Sequence, residues 1–280
     1  MKRFLITLAV VLIPCVMFSQ AQITTKKMKL EDFPEKTTKI VLSGNIFLDG
    51  EIEDAVKNQW TVSPYEFCTM QEFEELKGSD DYYFLITVLG QFKKESEPGL
   101  EMLSLVKGGK GADAGIDRML EVITVPVCSS RYPSGREISF ISPLIDIIQE
   151  QVQEAMLRDI NAYAGLQASS SNMEPIRGKR IVIAESDINT DVDSLFVGWL
   201  EDSGVEVLPD DEADALMDAR EANTIVSYTV SPYEAGPGSF CYKMLIDTQT
   251  HKLYYYRKSR ITKRVGPGFL SEELARVVRR

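Results

Sequence analysis

The chain has 280 residues, with 42 acidic against 31 basic side chains and a net charge of −11. This acidity disfavours nucleic acid and anionic lipid as partners, because both carry negative charge. The length is sufficient for one large domain or for two domains of ordinary size, and either arrangement can bury a hydrophobic core.

The first twenty-one residues have the pattern of a secretory signal peptide. Lys2 and Arg3 precede an apolar run from Phe4 to Phe18, and Ser19-Gln20-Ala21 places small side chains at a cleavage site. A retained membrane anchor is the alternative, but the run is shorter than the roughly 20 residues that cross a bilayer. The sequence therefore predicts an exported protein, periplasmic or secreted, with no membrane span after cleavage.

The cysteines and the charge add further expectations for the exported chain. Cys15 follows Pro14 instead of the small residue that lipoprotein processing requires, so lipid attachment is not expected. Cleavage after Ala21 removes two positive charges and takes the net charge from −11 to −13. Three cysteines then remain, which form at most one internal disulfide or serve as small buried residues, and the pattern leaves both options open: Cys68, Cys128 and Cys241.

The first predicted α/β domain spans residues 37–166, after an N-terminal extension at 22–36. Short apolar runs and helical periodicity predict its elements in chain order: a strand from Ile40, a helix Glu51–Asn58, a strand Val62–Thr69, a helix Met70–Leu76, a hairpin of Tyr82–Phe92 with Gly99–Val106, a short helix Ala114–Leu120, a strand Val122–Val127 and a long helix Ile138–Tyr163.

A glycine-rich loop, Gly108-Gly109-Lys110-Gly111, follows the hairpin. Such loops cradle phosphate when their amides open a helix, but this one lacks the spacing of a phosphate-binding loop and has no hydroxyl after its lysine. A mobile loop is the favoured interpretation, and an anion site is the alternative.

A linker at residues 167–177 separates the second domain, residues 178–280. Small and polar residues from Gln167 to Asn172 bury little surface. The elements predicted beyond the linker give the order βαβαβββ: a strand Lys179–Ala184, a helix Asp191–Ser203, a strand Val205–Leu208, a helix Asp210–Ala222, a strand Thr224–Val230 and a hairpin of Phe240–Ile246 with Lys252–Arg257.

The two halves follow one plan. The run Lys179–Ala184 corresponds to Thr38–Ser43 at an offset of 141 residues. A hexapeptide, Thr61–Glu66, recurs as Thr229–Glu234 at an offset of 168, which conflicts with that alignment. We rely on the order of the elements and predict two tandem related α/β domains, each a small mixed sheet flanked by helices; close packing of the halves into one domain is the alternative.

Few residues could carry catalysis. His251 is the only histidine, and its placement at the tip of the last hairpin predicts a solvated turn residue. Catalytic zinc sites normally use two or three histidines, and a Ser-His-Asp triad needs a recognisable serine nucleophile. The sequence shows neither pattern. We therefore predict no catalytic, cofactor-binding or metal-binding residues and no cofactor, although the separation of two carboxylates cannot be judged from sequence.

The last strand and the basic residues after it form a candidate contact surface. Alternation along a strand predicts that Tyr254 and Tyr256 share one face and that Tyr255 lies on the other. Arg257, Lys258 and Arg260 open a basic segment in an acidic chain, which would suit an acidic partner or the other half of the protein, while a solvated tail is the commoner explanation. The candidate residues are Tyr254, Tyr256, Arg257, Lys258 and Arg260.

Residues 178–261 resemble the TolB amino-terminal and curli-secretion-protein (CsgG) type of α/β domain. The resemblance is closest in the hairpin around Leu245–Tyr254, where the family shows an aspartate, a threonine and a tight turn before an aromatic strand. Two features depart from the family: Glu185–Ile188 stands where a proline-phenylalanine segment is usual, and His251 replaces the turn glycine. The resemblance implies a non-catalytic envelope domain that docks to other proteins.

Two functions follow as hypotheses. The first is an exported, non-enzymatic cell-envelope protein that works as a protein-interaction or assembly module with an envelope protein partner. The alternative is an envelope enzyme acting through carboxylates, or a protein that binds glycans or small ligands with Trp60, Trp199 and the tyrosines as platforms.

Overall fold

The computed structural model describes residues 30–93, 95–157, 166 and 176–279. The predicted signal peptide, most of the linker and the end of the predicted long helix lie outside these residues. The first five strands form one sheet in the order β2-β1-β3-β4-β5, with these bounds: β1 Thr37–Leu42, β2 Tyr65–Thr69, β3 Tyr82–Gly90, β4 Leu100–Lys107 and β5 Leu120–Ser129.

The second sheet repeats this topology. Its strands are ordered β10-β9-β8-β6-β7, so β6 pairs in parallel with both neighbours, as β1 does, and two antiparallel strands complete each sheet. The fold class and the order βαβαβββ are therefore confirmed. The bounds are β6 Arg180–Ala184, β7 Val205–Leu208, β8 Thr224–Val230, β9 Phe240–Asp247 and β10 Leu253–Arg260.

Helices flank both sheets, and capping side chains mark several of their starts. Asn45 accepts a hydrogen bond from the Leu48 amide, and Thr69 forms a capping box with Glu72. The α-helices of the described residues are α1 Ile46–Gln59, α2 Met70–Leu76, α3 Glu137–Leu157, α4 Ser194–Asp202, α5 Asp210–Asp218 and α6 Ser271–Val278. No helix among them is both long and apolar enough to span a bilayer.

The structure places the two copies of the hexapeptide in different positions. The first copy leads into β2, whereas the second covers the end of β8 and the loop after it. The strands related by the other offset, β1 and β6, are the central parallel strands of their sheets. The order of elements is thus the valid correspondence between the halves.

Several predicted bounds shift, as where α1 begins at Ile46 instead of Glu51, and two predicted elements differ in kind. The short helix expected at Ala114–Leu120 is replaced by two 3-10 turns, Ala112–Ala114 and Ile116–Arg118, because Gly115 lies between them at φ +121°. The carboxyl-terminal segment, expected to be a solvated tail, contains α6, which buries Leu274 and Val277.

Helix α3 packs between the two halves. It contacts α1 and β5 on the first side and α5 on the other. The Phe140 ring of α3 stacks on Tyr228 of β8, with ring centroids 4.0 Å apart and planes 4° from parallel. One continuous apolar core therefore contains the inner face of the second sheet together with the first half: Val182, Val226, Tyr228, Val230, Tyr242, Met244, Ile246 and Tyr256 belong to it.

The outer face of the second sheet has a separate core, formed with residues of α4, α6 and the segment before α6. Ile181 and Ile183 of β6 point into it, while Val182 and Ala184 join the shared core. Cys68, Cys128 and Cys241 are all buried and free. Burial raises the pKa of Cys68 and of Cys241 to about 11, so these thiols remain protonated near neutral pH.

The shared core predicts that both halves unfold together. Replacing Phe140 with Ala should lower the free energy of unfolding by about 3–5 kcal/mol, because the ring fills space between α3 and β8. Trp60 reports on the first half and Trp199 on the second, so Trp60→Phe and Trp199→Phe backgrounds isolate each signal. Urea titration of Phe140→Ala should move both transitions equally.

The exposed Leu157, at the end of α3, supplies the control, since Leu157→Ala should change stability by less than about 0.5 kcal/mol. Separate midpoints for the two tryptophan signals would contradict a shared core and favour the predicted division into residues 37–166 and 178–280.

Candidate docking surface

Helix α4 begins and ends at defined signals. The Asp193 side chain accepts a hydrogen bond from the Phe196 amide at 2.8 Å, which satisfies a free donor of the first turn. Gly204 follows the helix at φ +86°, a conformation that suits glycine. The sequence between these signals, Ser-Leu-Phe-Val-Gly-Trp-Leu-Glu-Asp, is apolar along most of its length.

Part of the apolar surface of α4 has no cover within the described residues. Leu200 is fully buried, whereas Leu195 is 84% exposed and Trp199 is 40% exposed. Phe196 is half-buried, and its ring lies 5.0 Å from that of Trp199. Leu195, Phe196 and Trp199, here named the α4 surface, thus form a contiguous apolar area of the kind that marks interaction sites.

Acidic residues stand at both ends of the α4 surface. Asp191 and Asp193 precede the helix, and Glu201 and Asp202 lie in its last turn, all of them exposed. Negative charge in a last turn opposes the helix dipole, so Glu201 and Asp202 do not stabilise α4. Their position instead gives the α4 surface an acidic border.

The first half repeats the exposed apolar start of the helix. Helix α1 follows β1 as α4 follows β6, and its first residues, Ile46 and Phe47, are 84% and 81% exposed. Both halves therefore present large apolar side chains at the start of the helix that follows the first strand.

A buried arginine connects the first half to the loop that leads to α4. Arg136, at the start of α3, lies 3.0 Å from an Asp187 carboxylate oxygen, and its Nε donates to Asp214 at 2.9 Å. The guanidinium also lies 5.5 Å from the ring centroids of both Phe140 and Tyr228. It is therefore paired, hydrogen-bonded and adjacent to two stacked aromatic rings.

Asp187 is the acceptor at the centre of this network. It is fully buried and accepts hydrogen bonds from the Ser227 hydroxyl at 2.6 Å and from the Thr229 amide and hydroxyl at 2.9 and 2.6 Å. Burial lowers the pKa of Arg136, but attraction to Asp187 and the hydrogen bond to Asp214 outweigh that effect and raise it above the usual value. The segment Glu185–Ile188 thus supplies the anchor for the junction.

The structure corrects the prediction for Tyr254 and Tyr256. Both are buried, as is Tyr255, so neither contributes to a contact surface. A β-bulge between Leu253 and Tyr255 breaks the alternation, which places Tyr254 and Tyr255 in the outer core and Tyr256 in the shared core. The predicted pairing of Tyr254 with Tyr256 on one face is therefore wrong.

The basic candidates have different environments. The Lys258 ammonium lies over the rings of Phe92 and Phe240, at 5.0 and 4.6 Å from their centroids, and burial lowers its pKa. Arg257 pairs with the buried Glu273 at 3.1 Å, whereas Arg260 is exposed. Lys258 thus contacts the other half of the protein, and Arg260 remains on the surface.

The glycine loop is explained by packing. The amides of Gly108 and Gly109 donate to the carbonyls of Tyr82 and Lys77, both at 2.9 Å, so they are not turned toward an anion. A Cβ at Gly108 would lie 2.2 Å from the Ser79 carbonyl oxygen. Lys110 is exposed, and Gly111 adopts φ +100°.

His251 is correctly predicted at the turn between β9 and β10, but it is not solvated. It is 2% exposed, and its Nδ1 lies 2.7 Å from an Asp146 carboxylate oxygen of α3. Its φ of +56° lies in the left-handed region that glycine adopts most readily. Trp60 is likewise buried and is no ligand platform, and the described residues contain no cluster of three metal-ligating side chains.

The pairing of Arg136 predicts a large loss of stability on its removal. Arg136→Met should lower the free energy of unfolding by about 3–5 kcal/mol, because Asp187 would be left as a buried charge. The matched control is Arg180→Met, which breaks a partly exposed pair with Glu206 and should cost less than about 1 kcal/mol. Urea denaturation measures both, and equal small losses would show that Asp187 does not depend on Arg136.

Comparison of the chain with models of known families, with curated proteins and with solved structures finds no match in any of the three. The resemblance to the TolB and CsgG type of domain stays a prediction from the sequence.

Proposed function

We propose that this protein is an exported, non-enzymatic cell-envelope protein that docks to another protein through the α4 surface. The observation that carries the proposal is that only Leu200 is fully buried among the large apolar residues of α4. Burying exposed apolar area away from water is favourable, and docking to a partner surface buries it.

The acidic border specifies the chemistry of the partner. Asp191, Asp193, Glu201 and Asp202 surround the apolar residues with negative charge, which attracts lysine and arginine during encounter. We therefore propose a protein partner whose apolar patch is bordered by basic residues. The net charge of −11 disfavours an anionic membrane as the occupant.

The remaining parts of the proposal rest on sequence and on the environment of one side chain. The pattern of residues 1–21 supports export, although these residues lie outside the structural description. The one histidine of the chain is enclosed and paired with Asp146, which supports a structural role for it. The carboxylate enzyme remains the alternative function.

The experiment is site-specific photocrosslinking in intact cells of the native host. A photoreactive amino acid replaces Leu195 in one variant and Leu157, an equally apolar and 74% exposed residue of α3, in the control. We expect one stoichiometric adduct with an envelope protein from position 195 and none from position 157.

A second variant tests whether the adduct depends on the α4 surface. With the photoreactive residue at Val192, the substitution Trp199→Lys should abolish the adduct, and urea unfolding checks that this variant remains folded. Adducts of equal yield from positions 195 and 157, or adducts only with a second copy of this chain, would contradict the proposal.

A further inference from the structure

A cleft of about 290 Å³ lies where the two halves meet, away from the α4 surface. Its walls come from the loops that follow β3, β5 and β8. Strands β3 and β8 hold equivalent positions, each being the third of five strands in its sheet. The carboxyl ends of parallel strands next to a change in strand order are the usual ligand sites of open α/β sheets.

Close contacts between the halves hold the cleft in shape. A Cβ at Gly99 would lie 2.7 Å from Cγ of Pro232, so the two loops touch there with no space for a methyl group. The Ser129 hydroxyl oxygen accepts a hydrogen bond from the Tyr233 amide at 3.0 Å. The cleft is therefore preformed, and its volume suits one side chain or a small molecule.

Tyr233 of the second half lines the cleft, and its ring contacts that of Tyr132 of the first half. Tyr132 and Tyr233 are 68% and 63% exposed, and their ring centroids are 4.9 Å apart. Tyr132 adopts φ +53°, a strained conformation for a residue with a side chain and one that is common at functional sites. The Arg131 guanidinium lies 5.9 Å from the Tyr132 ring centroid, so Tyr233 is the ring that the cleft offers to a ligand.

The charges of the cleft select the ligand. Glu95, Glu97 and Glu234 line it, against Arg131, whose nearest approach to Glu97 is 3.7 Å. One Glu95 oxygen accepts from the Phe92 amide at 2.9 Å, while the other, Oε1, is buried and accepts no hydrogen bond from the residues that the structure describes. A buried carboxylate oxygen requires a donor.

We propose that this cleft binds a cationic nitrogen group, the ammonium of a lysine side chain or of a free polyamine, between the Tyr233 ring and Glu95. Aromatic faces attract cations through their negative quadrupole, and the carboxylate accepts the ammonium hydrogen bonds. The proposal concerns a different surface from the α4 docking surface and does not depend on it.

The test is calorimetric titration of the purified full chain with three probes: an acetylated and amidated Gly-Lys-Gly peptide, the same peptide with norleucine for lysine, and spermidine. We expect the lysine peptide or spermidine, or both, to bind, with the stronger of the two identifying the source of the ammonium. The norleucine peptide should bind at least tenfold more weakly.

Variants connect binding to the named groups. Glu95→Gln and Tyr233→Leu should each weaken the cationic probe at least tenfold, whereas Glu212→Gln, an exposed control on α5, should leave the affinity unchanged. Circular dichroism and thermal midpoints confirm that the variants fold.

Three results would overturn the proposal: equal binding of the lysine and norleucine peptides, no binding of either cationic probe at millimolar concentration, or unchanged affinity in Glu95→Gln. Leu195→Lys should not affect these titrations, so failure here is distinguishable from failure of the docking function.

Discussion

The guanidinium of Arg136 is the interaction on which the arrangement of the two halves depends. It lies at the start of α3, pairs with Asp187 and Asp214 of the second half, and is 5.5 Å from the centroid of each of the stacked Phe140 and Tyr228 rings. A charge in this environment is tolerated because each polar contact is satisfied and two carboxylates oppose it. Because Arg136 reaches Asp187 and Asp214 together in only one arrangement, these contacts favour a single orientation of the halves.

The same junction shapes both functional surfaces. Asp187 lies just before the loop that leads to α4, so the pairing of Arg136 restrains the entry to the docking surface. Tyr132 lies four residues before Arg136, in the connection between β5 and α3, so the same residue restrains one wall of the cleft. The two surfaces are chemically different, one apolar with an acidic border and the other an acidic cleft with an aromatic ring.

Much of the fold follows from local sequence. Met70–Leu76, Val205–Leu208 and Thr224–Val230 have the predicted bounds, because capping residues and short apolar runs are local signals. The order of elements also gave the shared topology of the two sheets. Helical periodicity also predicts the long helix, and in its described part this helix packs against β5.

The site was less predictable, because exposure depends on residues distant in sequence. The helical spacing of Leu195, Phe196 and Trp199 looks the same whether or not another element covers them. The bulge that separates Tyr254 from Tyr256 has no sequence signal here. His251 pairs with Asp146, which lies 105 residues away in the sequence. Acidic residues at the end of α4 were the one local clue to its unusual surface.

The first half covers the inner face of the second sheet, and this has a consequence for the order of synthesis. Its inner face, with Val226, Tyr228 and Tyr242, is apolar and is closed by α3 and the first half. The first half is synthesised first. The inner face of the later strands can therefore pack against α3 and the first half as soon as these strands form. A rearranged gene that encoded the second half first would expose this face to aggregation during translation.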